Sequence, residues 1–127
     1  MKTILVDAVH TLVSADGIVN TKLFNLLEAF PNNKIILTNA NDEQMLKQGF
    51  EKLPYKVFSL KHNPDKSEVS YYKIMFKTLE LKAEETIYFD HNIIAVNNAQ
   101  KVGIKSMLYV DDSSSLINLE RFIKENL

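Results

Sequence analysis

The sequence contains no cysteine and no tryptophan among its 127 residues, and only three glycines and three prolines. Without cysteine, disulfide bonds, thiolate metal sites and thiol catalysis are excluded. Arg121 is the only arginine, so we expect any phosphate that a side chain binds to be bound by lysine. No apolar run is long enough to span a membrane, and the short run before Asp7 does not have the form of a signal peptide, which predicts a cytoplasmic protein.

The overall composition is that of one globular domain. Hydrophobic residues make up 46% of the chain and charged residues 24%, which is too apolar for a disordered protein. The net charge is −1 and the lysines are dispersed, so we expect no binding to nucleic acid or to an anionic membrane surface. We therefore predict a single domain over residues 1–127, and the sequence leaves its oligomeric state open.

Short apolar runs alternate with stretches of helical periodicity along the chain. The apolar runs predict strands at residues 3–6, 34–37, 56–60, 86–89 and 105–110. The periodic stretches predict helices at residues 21–30, 42–49, 64–79, 92–102 and 116–127. This alternation is typical of an α/β protein with a Rossmann-like three-layer α/β/α architecture. We expect a five-stranded parallel sheet with helices on both faces.

One helix start is especially clear in the pattern. Asn63, Pro64 and Asp65 have the order of an N-cap, a first-turn proline and an acidic residue in the first turn. The pattern predicts that the helix begins at Pro64. Lys61 lies between this helix and the third strand.

Polar residues follow several of the predicted strands. They are Asp7, Thr38 with Asn39, Lys61, and Asp90 with His91. Ligands of open parallel sheets bind at the carboxyl ends of the strands, so we expect these side chains to converge. A carboxylate can act as a nucleophile or bind Mg²⁺, and a lysine can neutralise a phosphate. Together these groups suit the electrostatic stabilisation of phosphoryl transfer.

Four stretches of the chain resemble motifs of the haloacid dehalogenase-like (HAD) hydrolase superfamily, in the same order. The stretch DAVHTL at 7–12 is similar to the first motif, whose phosphatase form is DxDGTL. IILTN at 35–39 is similar to the second, KHNP at 61–64 to the KPxP form of the third, and IYFDHN at 87–92 to the fourth. The resemblance implies a Rossmann-like sheet in which the strand that ends in Asp7 is central.

The resemblance also implies roles for individual residues in hydrolysis through an aspartyl-phosphate intermediate. Asp7 would be the nucleophile, and Lys61 would hold Asp7 and the phosphoryl group. Thr38 and the backbone of Asn39 would bind phosphate. The substrate would be a phosphorylated small molecule or a phosphoprotein, because capless members of the superfamily accept bulky substrates.

A metal site is a further implication of the resemblance. Mg²⁺ would be bound by Asp7, Asp90 and the backbone carbonyl of Val9. Only residues 13–37 separate the first motif from Thr38 of the second, and a helix occupies part of them, so no cap domain fits there.

The chain departs from the phosphatase pattern at two positions. Val9 stands where phosphatases carry the aspartate that protonates the leaving group, and His91 replaces the second residue of an acidic pair. Two interpretations of His10 and His91 remain open. In the first, one of the two histidines, and His10 before His91, replaces the missing acid/base. In the second, both lie at the edge of the site without a catalytic role.

Three function classes remain after these departures. The first is a Mg²⁺-dependent phosphatase by ancestry, in which Asp7, Lys61 and His10 are the candidate catalytic residues. The second is a catalytically degenerate module that binds phosphate or a protein. The third is a phospho-acceptor receiver domain, which the single acidic residue at the end of the first strand disfavours. A dehalogenase is disfavoured as well, because that branch uses a cap.

Overall fold

The computed structural model describes residues 1–127, which form one sheet and five α-helices. The strands are β1 (Thr3–Asp7), β2 (Lys34–Thr38), β3 (Lys56–Ser59), β4 (Thr86–Asp90) and β5 (Lys105–Leu108). The helices are α1 (Thr21–Glu28), α2 (Asp42–Lys47), α3 (Val69–Leu79), α4 (Ile93–Lys101) and α5 (Ser115–Asn126). Two short 3-10 helices lie at Phe50–Lys52 and Ala83–Glu85. No helix is long and apolar enough to cross a membrane.

All neighbouring strands of the sheet are parallel, in the order β3-β2-β1-β4-β5. The predicted α/β fold class and the central position of the Asp7 strand are therefore confirmed. The register pairs Asp7 with Leu37 and Val6 with Phe89. Because of this register, β1, β2 and β4 end at the same edge of the sheet, which is where the polar residues follow.

The sheet separates two apolar cores, one on each face. Alternate residues of β1 divide between them, with Ile4 and Val6 in one core and Leu5 in the other. This alternation follows from the two-residue period of a strand. The first core includes residues of α1 and α5, and the second includes residues of α3 and α4. The sheet is thus covered on both faces, as parallel sheets require.

Several helix ends lie where the sequence indicates them. Asn41 caps α2 through a reciprocal capping box with Gln44, and the Asn92 side chain accepts a hydrogen bond from the backbone of Ile94. After α4, Gly103 adopts a φ of +92°, which a residue without a Cβ adopts at little cost. The Ile104 amide then donates to the Ala99 carbonyl at 3.1 Å, which closes the helix as a Schellman motif does.

The start of α3 differs from the sequence prediction. The helix begins at Val69, whereas the Asn63-Pro64-Asp65 pattern predicts a start five residues earlier, and residues 61–68 form turns instead. The reason is a set of contacts between this segment and the sheet edge. The backbone N–H of Lys66 donates to Asn39 Oδ1 at 2.7 Å, and its side chain reaches the end of β1. These tertiary contacts outweigh the local helix signal.

Candidate functional site

Asp7 lies at the carboxyl end of the central strand, and both of its carboxylate oxygens are hydrogen-bonded. Oδ1 accepts from Lys66 Nζ at 2.7 Å. Oδ2 accepts from Thr11 Oγ1 at 2.8 Å and lies 2.5 Å from His91 Nδ1. The side chain is only 5% exposed, so these partners replace water around the charge.

Lys66 joins the two aspartates of the site. Its Nζ lies 2.7 Å from Asp7 Oδ1 and 2.8 Å from Asp90 Oδ2, and it also donates to the Leu37 carbonyl at 3.1 Å. The ammonium is buried, so its three protons go to protein acceptors. Burial alone would lower the pKa of Lys66, but the carboxylates of Asp7 and Asp90 outweigh burial and raise it. Lys66 is therefore a fixed positive charge beside Asp7.

The structure corrects the sequence prediction for Lys61. The Nζ of Lys61 lies 3.2 Å from Asp42 Oδ2 on α2, and the side chain is 56% exposed. Lys61 does not line the pocket around Asp7, and its backbone adopts a left-handed φ of 55°. The lysine that contacts Asp7 is Lys66, five residues further along the same loop.

Asp90 is completely buried at the end of β4. Its Oδ2 accepts hydrogen bonds from Lys66 and from the Tyr88 hydroxyl, and its Oδ1 accepts from the backbone N–H of Asn92 at 2.8 Å. Burial raises the pKa of Asp90, and the nearby Lys66 ammonium opposes this shift. These hydrogen bonds hold the Asp90 carboxylate beside the same Lys66 ammonium that contacts Asp7.

The environment of Asp7 strongly favours its ionised form. Burial by itself would raise the pKa of Asp7, but the positive charge of Lys66 and the hydrogen bond to His91 hold it well below its usual range. The same hydrogen bond to Asp7 raises the pKa of His91. A carboxylate that stays ionised is the required state for a nucleophile or a metal ligand.

The two candidate histidines occupy different positions. His91 contacts Asp7 directly and is 37% exposed. His10 is exposed, has a φ of 67°, and places its ring centroid 5.4 Å from that of His91. The structure therefore brings His91 rather than His10 to the carboxylate, while both line the same pocket. A catalytic role for His10 remains a prediction.

Thr38 and Asn39 follow β2 and face the same pocket as Asp7. Thr38 is buried, and its Oγ1 accepts a hydrogen bond from the backbone N–H of Ala40 at 3.2 Å. The Asn39 side chain holds the backbone of Lys66, so Asn39 also positions the lysine. Their phosphate contacts remain predictions, because they concern a bound ligand.

Three residues of the site offer donor atoms for a metal ion. One ligand atom each from Asp7, Asp90 and His91 lies within 4.8 Å of the others. Val9, whose backbone carbonyl is the third ligand that the resemblance implies, is half-buried and lines the pocket. These groups fit a divalent cation, and His91 adds a nitrogen donor to the predicted oxygen donors.

The pocket around Asp7 has a volume of about 320 Å³ and a mostly polar lining. One wall of the pocket is formed at α2 and the 61–68 turns. It includes Gln44 of α2, Gln48 at the C-cap of α2, and His62 of the turns. This volume suits a phosphate group together with a small part of the molecule that carries it.

Sequence reasoning missed Lys66. A signal was present, because the apolar stripe of α3 begins at Val69 and leaves residues 61–68 outside the helix. A helix start taken from that stripe would have left both Lys61 and Lys66 as loop residues able to reach Asp7.

Solved structures with the same fold include an uncharacterised protein from Corynebacterium glutamicum. It is 17% identical, with a TM-score of 0.75 over 98% of this chain and 96% of its own. A HAD family enzyme from Bacteroides thetaiotaomicron is 16% identical, with a TM-score of 0.72 over 92% of this chain and 98% of its own. An alanine variant of that enzyme in complex with magnesium and inorganic phosphate is also 16% identical, with a TM-score of 0.72 over 91% and 98% of the two chains.

No protein-family model matches the sequence, and no curated protein matches it. At these identities the structural similarity establishes the fold and nothing beyond it. The resemblance to the HAD-like superfamily is therefore confirmed as a fold, and the capless form fits a chain of 127 residues.

Proposed function

We propose that this chain, which has the HAD fold, is a divalent-metal-dependent phosphohydrolase that uses Asp7 as its nucleophile. The observation that carries the proposal is the buried bridge from Asp7 through Lys66 to Asp90 at the carboxyl edge of the sheet. The bridge supports the proposal because Asp7 as nucleophile, Lys66 as the cation that neutralises phosphate and Asp90 as a metal-binding carboxylate would then act at one point. The substrate is a phosphorylated small molecule or a phosphoprotein.

The reaction has two displacements at phosphorus. A carboxylate oxygen of Asp7 attacks the phosphorus atom, the bond from phosphorus to the leaving oxygen breaks, and an aspartyl phosphate results. Water then attacks this phosphorus, the bond from phosphorus to the Asp7 oxygen breaks, and inorganic phosphate leaves with the water oxygen, one proton of the water staying on the phosphate and the other passing to solvent, so that the Asp7 carboxylate is regenerated. Lys66 neutralises charge on the phosphoryl oxygens, and Thr38 and the backbone of Asn39 orient them.

A divalent cation would be held by Asp7 and Asp90, with His91 and the Val9 carbonyl as further donors. When bound, it supplies charge neutralisation for the phosphoryl group. A structure of a HAD family enzyme with magnesium and inorganic phosphate supports this part of the proposal, because that enzyme has the same fold.

The leaving group limits the range of substrates. Val9 has no proton to give, whereas a general acid contributes roughly 10²–10⁴-fold to such a rate. Acyl and aryl phosphates need no protonation on departure, so we expect them to be hydrolysed faster than alkyl phosphates. Of the two histidines that could replace the missing acid, His91 contacts Asp7 and is therefore closer to the reacting centre than His10.

The test is phosphate release from acetyl phosphate, an aryl phosphate and an alkyl phosphate, each with and without Mg²⁺. The native protein is compared with Asp7→Asn and with Asp16→Asn, an exposed aspartate that controls for the change itself. We expect metal-dependent release that Asp7→Asn abolishes and Asp16→Asn preserves. Equal release by the Asp7→Asn protein would remove Asp7 as the nucleophile.

Replacement of Val9 by aspartate tests the missing acid. Val9→Asp should raise the rate of hydrolysis of alkyl phosphates by about 10²–10⁴-fold and that of acetyl phosphate by much less, because only the leaving oxygen of an alkyl phosphate needs a proton. The ratio of the two rates is the measurement. A ratio that does not change would show that the lost acid is not what limits turnover.

One observation favours a second candidate, a phosphate-binding or protein-binding module without turnover. Both oxygens of Asp7 are engaged, by Lys66 on one side and by Thr11 and His91 on the other, which lowers the reactivity of the carboxylate. Calorimetry with inorganic phosphate separates the two functions. Phosphate binding without release from any of the three substrates would support the module.

A further inference from the structure

Lys66 divides the oxygens of the two aspartates into two sets. Its ammonium contacts Oδ1 of Asp7 and Oδ2 of Asp90. The other oxygens, Oδ2 of Asp7 and Oδ1 of Asp90, are 2.5 and 3.5 Å from Nδ1 of His91. Two carboxylate oxygens that Lys66 does not contact and one imidazole nitrogen therefore lie close together.

The charges of the buried groups favour a cation at this point. Asp7 and Asp90 each carry a negative charge when ionised, and Lys66 is the one ammonium in contact with both. The two oxygens that Lys66 does not contact accept hydrogen bonds from neutral donors, the Thr11 hydroxyl at Asp7 and the Asn92 N–H at Asp90, in addition to their contacts with His91. A bound dication would supply positive charge at the two oxygens that Lys66 does not contact.

The nitrogen donor determines which dication fits. Mg²⁺ is a hard ion that prefers oxygen ligands and keeps much of its water, whereas imidazole nitrogen binds first-row transition metals well. We infer that Asp7, Asp90 and His91 form a mixed oxygen and nitrogen site that prefers a first-row transition-metal dication to Mg²⁺. This inference rests on the metal site of the proposed function and changes the ion expected there.

The experiment measures binding and needs no turnover. Co²⁺ is the probe, because its visible absorption depends on its ligands. Calorimetry gives the affinities of the native protein for Co²⁺ and for Mg²⁺, and a titration followed by absorbance shows whether nitrogen coordinates Co²⁺. We expect Co²⁺ to bind more tightly than Mg²⁺ and its spectrum to change on binding.

His91→Asp is the decisive variant, because it replaces the nitrogen donor with an oxygen donor. We expect the ratio of Co²⁺ to Mg²⁺ affinity to fall by about 10–100-fold, the range that loss of even a supporting partner of a metal ligand costs. His10→Asp is the matched control. It makes the same replacement in the same pocket at a residue that does not contact Asp7, and aspartate tolerates the positive φ there.

Three results would overturn the inference. The first is an equal loss of the affinity ratio in His10→Asp and His91→Asp, which would mean that charge rather than the donor atom sets the preference. The second is tighter binding of Mg²⁺ than of Co²⁺ by the native protein, which would leave the proposed hydrolase intact. The third is binding of neither ion, which would overturn both this inference and the metal dependence of the proposed function.

Discussion

Two regions of the pocket both contain ion pairs, but the pairs of one region are buried and those of the other are exposed. The floor is formed by Asp7, Lys66 and Asp90, with the Tyr88 hydroxyl hydrogen-bonded to Asp90; it is buried, and its ion pairs are shorter than 3 Å. The rim is formed by His62, Asp65 and α2, next to Lys61 in the chain. It also contains ion pairs, such as that of Lys61 with Asp42 at 3.2 Å, but both partners are exposed. The 61–68 loop supplies residues to both regions.

The difference indicates that burial, rather than the presence of an ion pair, decides which lysine contributes to the stability of the fold. In the floor, removal of one partner leaves a charge without water or a counter-ion, which is strongly destabilising. In the rim, water replaces the lost partner at little cost. Lys61 and Lys66 allow this comparison within one loop, because the two side chains are identical and only their surroundings differ.

The largest expected effect is that of Lys66→Met. It leaves Asp7 and Asp90 buried beside each other without the ammonium that contacts both, so we expect the free energy of unfolding to fall by about 3–5 kcal/mol. The matched variant Lys61→Met should lower it by about 0.5 kcal/mol or less. Urea unfolding followed by circular dichroism measures both. Similar losses in the two proteins would mean that the floor and the rim are energetically alike.

A smaller effect is expected for Tyr88→Phe. The Tyr88 hydroxyl donates to Asp90 and lies 3.4 Å from Lys66 Nζ, so its removal takes one hydrogen bond from a buried charge. We expect a loss of about 1–3 kcal/mol. Tyr55→Phe is the control, because the Tyr55 hydroxyl donates to Glu28 at 2.8 Å in an exposed pair. A control that loses as much as Tyr88→Phe would remove burial as the explanation.

The smallest effect is expected for His62→Asn in the rim. His62 contacts Asp65 through Nδ1 and Gln44 through Nε2, each at 2.9 Å, and so links the 61–68 loop to α2. Asparagine tolerates the φ of 68° at this position, so the variant removes the link without straining the backbone. We expect a loss of about 0.5 kcal/mol or less. A loss of several times that size would make the rim a structural part of the fold.

The sequence predicted the sheet and the aspartates because their signals are local. Asp7 and Asp90 each end an apolar run, and the edge at which parallel strands end follows from the fold class. The same reasoning predicted Thr38 at the end of β2. These residues need no information about distant parts of the chain.

Lys66 and the orientation of His91 could not be predicted in this way. The Asn63-Pro64-Asp65 pattern favoured an early helix start, the apolar stripe that begins at Val69 favoured a later one, and the contacts of Lys66 decide between them. His91 was identified by its position after Asp90, but its contact with Asp7 depends on the packing of β4 beside β1. Both depend on residues that are far apart in the sequence.

The wall of the pocket at α2 has no buried residue. Its ties to the 61–68 loop include the pair of Asp42 with Lys61 and the contact of Gln44 with His62, both exposed. In amide hydrogen exchange, we expect α2 to open locally at a free energy near zero, while the amides of β1 exchange only when the whole domain unfolds. A ligand would then enter the pocket through local opening of α2, and the sheet that holds Asp7 would stay folded.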